Sequence, residues 1–229
     1  MAEKISPTNN LENYQDDVED YEKIDVINLF TSQTETTEKH ESEIKEYKIC
    51  PMSDIPTKDF SELSGSQLEE IIVNLVKFEG PIHTEELIQR IKMNFGIGRV
   101  GSNIKSKIYS SIESARESKK ILIKNDFLWP DTEPDNILRK RCGNSSVKIE
   151  WICNEEIIQA IYFVLNDQYS TPKEDLIVQT SRVLGIKALR NNSNSKDIIE
   201  SVIGSLIRDN YLTKLPNDTI YFQKSIIAE

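Results

Sequence analysis

The sequence predicts a mainly α-helical body with short β-hairpins, an α+β fold in two copies, behind an acidic N-terminal tail. Three observations carry this. Apolar residues recur at helical spacing from Leu68 onward, two stretches close on a short apolar run around a polar turn, and the order of signals in the first half returns in the second. The 229 residues, 38% of them hydrophobic, suffice for one large domain or two small ones with real cores.

The tail is residues 1–60. It holds 15 acidic and 6 basic side chains, whereas residues 61–229 hold 23 and 22, so the formal net charge of −10 divides into −9 and −1. A segment this polar cannot offset a chain entropy of roughly 1–2 kcal/mol per residue, which predicts low order. The exception is Ile24-Asp25-Val26-Ile27-Asn28-Leu29-Phe30, after the acidic run Asp16 to Glu22. It reads either as a docking segment for a partner or the body, or as residual hydrophobicity or one packed helical turn.

The first folded unit spans residues 61–130. Ser66 and Glu69 have capping-box spacing, and Leu68, Ile71, Ile72, Leu75 and Val76 share one helical face that stops at Glu79-Gly80-Pro81. Thr84 is the expected cap of a second helix carrying Leu87, Ile88 and Ile91, which ends near Gly96. A third helix follows Gly101-Ser102-Asn103, with Ile104, Ile108, Ile112 and Ala115 inward. Ile121–Lys124 and Phe127–Trp129 then flank an Asn125-Asp126 turn as a hairpin.

Residues 131–152 read as linker or wing, and residues 153–229 as the second unit. Asn154 is the expected cap of a helix with Ile157, Ile158, Ile161 and Leu165 on one side. Thr171-Pro172 read as cap and first residue of the next, which Gly185 closes. Ile198, Val202 and Leu206 mark a third helix, each 94 residues after Ile104, Ile108 and Ile112, and Tyr211–Leu215 with Thr219–Phe222 form a last hairpin. Three helices and a hairpin in about 70 residues is the layout of a winged helix, so the body is expected to be a tandem of two.

Glu79-Gly80-Pro81-Ile82-His83, then Arg99-Val100-Gly101-Ser102, then Phe127-Leu128-Trp129-Pro130, make an ordered succession, continued by Asn154 to Ile161 and Leu184-Gly185-Ile186. Over about residues 69–222 this resembles the C-terminal region of unknown function in large bacterial superfamily 1 helicase proteins that also carry a nuclease domain similar to very-short-patch repair endonucleases. The resemblance implies an accessory module linked to DNA processing, including repair and defence against foreign DNA. The chain departs from that family in having no helicase or nuclease part and no GxxxxGK[ST] loop. The expectation is therefore a free-standing module whose helicase or nuclease partner is another polypeptide.

Catalytic chemistry finds little support in the sequence. His40 and His83 are the only histidines, neither at ligand spacing from Cys50, Cys142 or Cys153, so neither metal nor other cofactor is expected. Glu79 with His83 suggests an acid/base pair, but local hydrogen bonding of His83 is the simpler reading. Asp131, Glu133 and Asp135 look like a solvated loop rather than a metal site, and Trp129 and Trp151 like packing rather than base-stacking platforms. An enzyme is not expected. No apolar run approaches the roughly 18–20 residues of a membrane span, and the first residues lack a secretory pattern. Unpaired cysteines fit a reducing cytoplasm.

Cations concentrate instead. Residues 90–124 carry nine Lys or Arg against Glu113 and Glu117. Arg99, Lys105, Lys107, Arg116, Lys119 and Lys120 lie in or beside the third helix, the usual major-groove element. Lys124, Arg139, Lys140 and Arg141 would extend a backbone-binding track, and Arg182, Lys187 and Arg190 would add phosphate contacts in the second unit. Exposed lysines merely keeping a helix soluble is the plain alternative. In the second unit Lys196 and Arg208 are balanced by Asp197, Glu200 and Asp209.

Two functions follow as expectations. One is a non-catalytic, DNA-binding accessory protein working with a helicase or nuclease. The other is an architectural tandem winged-helix subunit without DNA contact, resembling the acidic winged-helix partners of chromosome-structuring ATPase complexes, where a homodimer is the expected assembly.

Overall fold

The computed structural model describes residues 44–51, 59–132, 134, 137–141, 148–186 and 193–222. Met1–Glu43 separates as a unit from Ile44–Glu229, and every described residue belongs to the latter. The Ile24–Phe30 patch, His40, Glu133, Asp135, Cys142, Lys187 and Arg190 lie outside the described residues.

The fold is mainly helical with small sheets, in the order β1 (Lys45–Glu46), α1 (Gly65–Glu79), β2 (Ile82–His83), α2 (Thr84–Asn94), α3 (Ser102–Glu117), β3 (Ile121–Lys124), β4 (Phe127–Pro130), β5 (Arg139–Lys140), α4 (Asn154–Gln168), β6 (Ser170–Pro172), α5 (Lys173–Val183), α6 (Ser193–Arg208), β7 (Leu212–Lys214) and β8 (Thr219–Phe222). Short 3₁₀ turns cover Phe60–Glu62 and Ile149–Trp151. Helix, short strand, two helices and hairpin occur twice. Both copies close the same way, with antiparallel sheets ordered β2-β4-β3 and β6-β8-β7.

Helix starts differ from expectation where a second residue competes for the cap. The Ser64 hydroxyl accepts from the Gln67 N–H at 3.2 Å while Gln67 Oε1 accepts from the Ser64 N–H at 3.0 Å. The box therefore sits two residues before Ser66, and Glu69 instead accepts from Lys120, Ser114 and Ser118. At α2 the cap is His83, whose Nδ1 accepts from the Glu85 N–H at 3.1 Å. Thr84 donates its N–H and hydroxyl to the Asp126 carbonyl, at 2.8 and 2.9 Å, tying α2 to the hairpin turn. Thr171 and Pro172 are not helical; they pair with Ile220 and Thr219 of β8, and α5 begins after them. At α4 the capping position is Cys153, with Asn154 already in the helix.

In the first copy Leu68, Ile72, Leu87, Ile91, Ile108, Ile121 and Leu128 form one sealed cluster, and in the second Ile157, Ile161, Leu176, Ile177, Ile203, Leu212 and Ile220 are buried in the same way. Each such side chain contributes on the order of 1.5–3 kcal/mol. A smaller cluster of Trp129, Ile137 and Cys153, with Phe127 against it, joins the first sheet to the entry of α4.

Residues 44–51, which the sequence assigns to the tail, are part of the body. β1 pairs in parallel with β5, Lys45 opposite Arg139, and Tyr47 N–H donates to the Lys140 carbonyl at 2.9 Å. Charge explains the division. Residues 1–43 hold 12 acidic and 3 basic side chains and so all of the −9, while residues 44–60 hold 3 of each.

Candidate nucleic-acid interface

α3 buries Ile108, Ser111, Ile112 and Ala115, which sets its roll and decides where its polar side chains project. Its outward side carries Ser102, Asn103, Ser106, Tyr109 and Ser110 in the first half and Glu113 and Glu117 in the second, all exposed. The cations are on its flanks or beyond its ends.

Most of those cations are engaged. Lys105 Nζ lies 3.1 Å from Glu85 and Arg116 Nε 2.7 Å from Glu113, half-exposed contacts that a phosphate can exchange with at little cost, whereas Lys120 Nζ lies 2.7 Å from Glu69, a largely covered carboxylate that Ser114 and Ser118 also hold. Lys107 differs. Its ammonium donates to the carbonyls of Leu63 at 2.6 Å and Phe60 at 3.2 Å and lies over the Phe60 ring, which corrects its expected phosphate role to closure of the turn before α1. Arg99, Lys119, Lys140 and Arg182 are exposed and make no ion pair among the described residues. Lys119 occupies the loop after α3 with φ 56°.

Lys124 stands over the Trp129 ring at 4.7 Å. On the same side of the sheet the register aligns His83, Phe127 and Lys124. Trp151 stacks on His83 with ring centroids 6.3 Å apart, and Lys148 Nζ lies 4.3 Å from the Trp151 centroid. Both tryptophans are thus packed by neighbours, and the local bonding of His83 is its role at the α2 cap. Burial lowers the His83 imidazole below its ordinary range, outweighing Asp126, Glu85 and Glu150 nearby.

Arg139 and Arg141 are corrected most. Expected on a backbone-binding track, they lie inside, over the two sides of a joint between the copies. Glu156 of α4 is fully buried and accepts from Arg141 at 2.7 and 3.2 Å and from the Arg139 guanidinium at 3.0 Å. Arg139 also donates to the carbonyls of Glu79, Gly80 and Pro81. Both guanidinium groups lie against the Tyr47 ring, at 4.9 and 4.6 Å. Tyr47 in turn donates to Glu79, which Arg90 and the Cys50 N–H also hold, and Arg90 reaches Glu86 at 2.8 Å. Three carboxylates and three guanidinium groups make this network neutral. A buried charge pair is favoured only when its remaining hydrogen bonds are met, which is what such convergence supplies. Desolvation raises the Glu86 carboxyl, whose Oε2 has no hydrogen-bond partner, and burial pushes the Tyr47 phenol up, further raised by Glu86 and Glu79.

Among the described residues no group of His, Cys, Asp and Glu is placed to hold a metal, and no helix is long and apolar enough to cross a membrane. Cys153 is buried and its thiol is raised well above the ordinary range by desolvation, the opposite of an activated nucleophile.

A family described as "Protein of unknown function (DUF3320)" matches residues 58–106, which are 49 of the 229 residues and run from the turn before α1 to the first part of α3. No curated protein and no solved structure matches the chain.

Proposed function

We propose that this chain is a tandem winged-helix module that binds duplex DNA through its first copy, as a non-catalytic accessory to a helicase or nuclease partner in DNA repair or defence against foreign DNA. The observation that carries the reading is the placement of α3. It is the third helix of a helix–strand–helix–helix–hairpin unit, it presents an exposed polar side, and exposed Arg99 and Lys119 stand at its two ends. In that layout the third helix is the groove-entering element and flanking cations take phosphates. Lys105 joins them by exchanging the exposed Glu85 carboxylate for phosphate. The enzyme partner rests on the resemblance of the succession from Glu79 to Ile186 to helicase-associated proteins.

The second reading, an architectural subunit that holds protein partners, is favoured by one observation: Lys105, Lys107, Arg116 and Lys120 already have partners within the chain. Titration of the full chain onto duplex, forked and single-stranded DNA over a salt series separates the two. DNA binding predicts a log–log salt slope of about −0.9 per phosphate neutralised. It also predicts weaker binding for Arg99→Glu with Lys119→Glu at unchanged melting temperature. Absence of salt-dependent binding overturns the DNA reading in favour of the architectural one.

A further inference from the structure

We infer that the outward side of α5 seats a second copy of this chain, packed antiparallel across a two-fold axis; the inference is independent of whether the first copy binds DNA. The stripe is Asp175, Val178, Gln179 and Arg182, spaced i, i+3, i+4 and i+7 and so one helical face, opposite the buried Leu176, Ile177, Thr180 and Ser181. Asp175 and Arg182 are exposed and make no ion pair among the described residues. A two-fold axis midway between them, at Val178 and Gln179, sets each Asp175 against the partner's Arg182 when the helices run antiparallel. Parallel packing would set like charges together. One acid and one base so placed on a single face complement a copy of themselves, which is the requirement of an isologous interface.

The first copy shows that this side of the unit is a docking side. α1 and α4 have 15 residues each and α2 and α5 have 11, all displaced by 89, so Glu79 corresponds to Gln168, Glu86 to Asp175 and Arg90 to Gln179. In the first copy Glu86 is buried and Arg90 holds both carboxylates, with Tyr47, Arg139 and Arg141 gathered around them. In the second copy the counterpart is open. Asp175 is exposed there, and Gln168 and Gln179 satisfy each other at 2.6 and 3.1 Å. A mutually bonded amide pair in place of the ion pair removes charge from the centre of the face, where desolvation would cost most. Tyr169, next to Gln168, is 85% exposed and held at φ 59°, so its ring adds little packing within the chain and is open to the partner. A single short helix pair is a small interface, which sets the expected dissociation constant on the order of micromolar.

The test is sedimentation velocity of the full chain over a concentration series reaching about 100 μM. It is repeated for Asp175→Arg, for Arg182→Asp, for an equimolar mixture of the two, and for the double variant. The wild-type chain is expected to pass from monomer to dimer. Each single variant sets like charges against each other twice in its own dimer and should associate at least about tenfold more weakly, at unchanged melting temperature. The mixture and the double variant restore opposite charges at both contacts and should regain the wild-type dimer. A wild-type chain that stays monomeric, a dimer that survives both single reversals, or a mixture or double variant no tighter than the single variants overturns the assignment. All of these are read without DNA, so the DNA-binding function stands or falls separately, on its own salt titration.

Discussion

The Tyr47 hydroxyl donates a 2.7 Å hydrogen bond to Glu79 Oε2, joining the segment before the first copy to the last residue of α1. Glu79 Oε1 takes the Cys50 N–H at 3.0 Å, so both carboxylate oxygens are held by residues 47–50. Because the Tyr47 ring also lies against Arg139 and Arg141, which clasp Glu156, one short segment touches both ends of the joint between copies.

That contact predicts an alkaline loss of stability. Burial and the neighbouring carboxylates raise the folded Tyr47 pKa above the ordinary phenol value of about 10. Above that pH the unfolded chain loses the proton first, so Tyr47 contributes stability below about pH 10 that is lost as pH rises. Tyr162, raised by burial, adds a similar slope. Tyr47→Phe should lower stability near neutral pH by about 1–3 kcal/mol. It should also flatten, without abolishing, the alkaline decline in urea-unfolding free energy. An unchanged alkaline slope would contradict the assignment.

Glu156 is the joint's most exposed dependency in energetic terms, since it is completely buried and faces two guanidinium groups. Removing it strands Arg141, which is itself buried. Glu156→Ala is expected to cost about 3–5 kcal/mol. Glu156→Gln, which keeps shape and part of the hydrogen bonding, should cost less. Denaturant midpoints measure both, and a loss below about 1 kcal/mol for Glu156→Ala would show that water reaches the site.

Two glycines should respond to alanine with opposite signs. Gly185 has φ 84°, and a Cβ there would collide with the Arg141 backbone carbonyl; the Arg141 N–H donates to Leu184 at 3.2 Å in the same contact. Gly185→Ala therefore meets strain and backbone overlap and is expected to destabilise by about 1–3 kcal/mol. Gly204, exposed in α6 with open space around it, should stabilise by about 0.5–1 kcal/mol on substitution by Ala. Paired thermal melts test the contrast, and equal shifts would disprove the close approach at Gly185.

Periodicity in the sequence reports what one segment buries, so the long helices and the β3–β4 and β7–β8 hairpins are legible from Leu68, Ile108, Ile157 or Ile203 and their neighbours. The strands β1, β2, β5 and β6 have two or three residues and no period to read. The role of Arg139 and Arg141 depends on residues 15 to 60 positions away, for which local pattern carries no sign. A signal does exist on their partners. Glu79 follows Leu68, Ile72 and Val76 on the inward side of α1, and Glu156 precedes Ile157 and Ala160 on that of α4. A carboxylate on a core-facing stripe demands a buried cation, and residues 139–141 are one of the acid-poor cation runs, with residues 182–190 another, that can supply it. On α3 the same stripe logic places the polar side correctly but cannot tell Lys107, folded back onto two carbonyls, from Lys105.

The difference between those lysines is the sharpest test of the candidate interface. Lys107 satisfies the carbonyls of Phe60 and Leu63, so Lys107→Ala should cost about 1.5–3 kcal/mol of stability. Held well below its melting temperature, that variant should bind duplex DNA with unchanged salt slope. Arg99→Ala and Lys119→Ala remove exposed charges with no internal ion pair among the described residues, so melting temperature should hold while the salt slope becomes shallower by about 1 for each phosphate no longer neutralised. Thermal melts and anisotropy titrations of each variant read both quantities. If Lys107→Ala weakened binding at intact fold while Arg99→Ala did not, the phosphate track would have to run along the opposite flank of α3, and the placement of Arg99 beside the groove would be wrong.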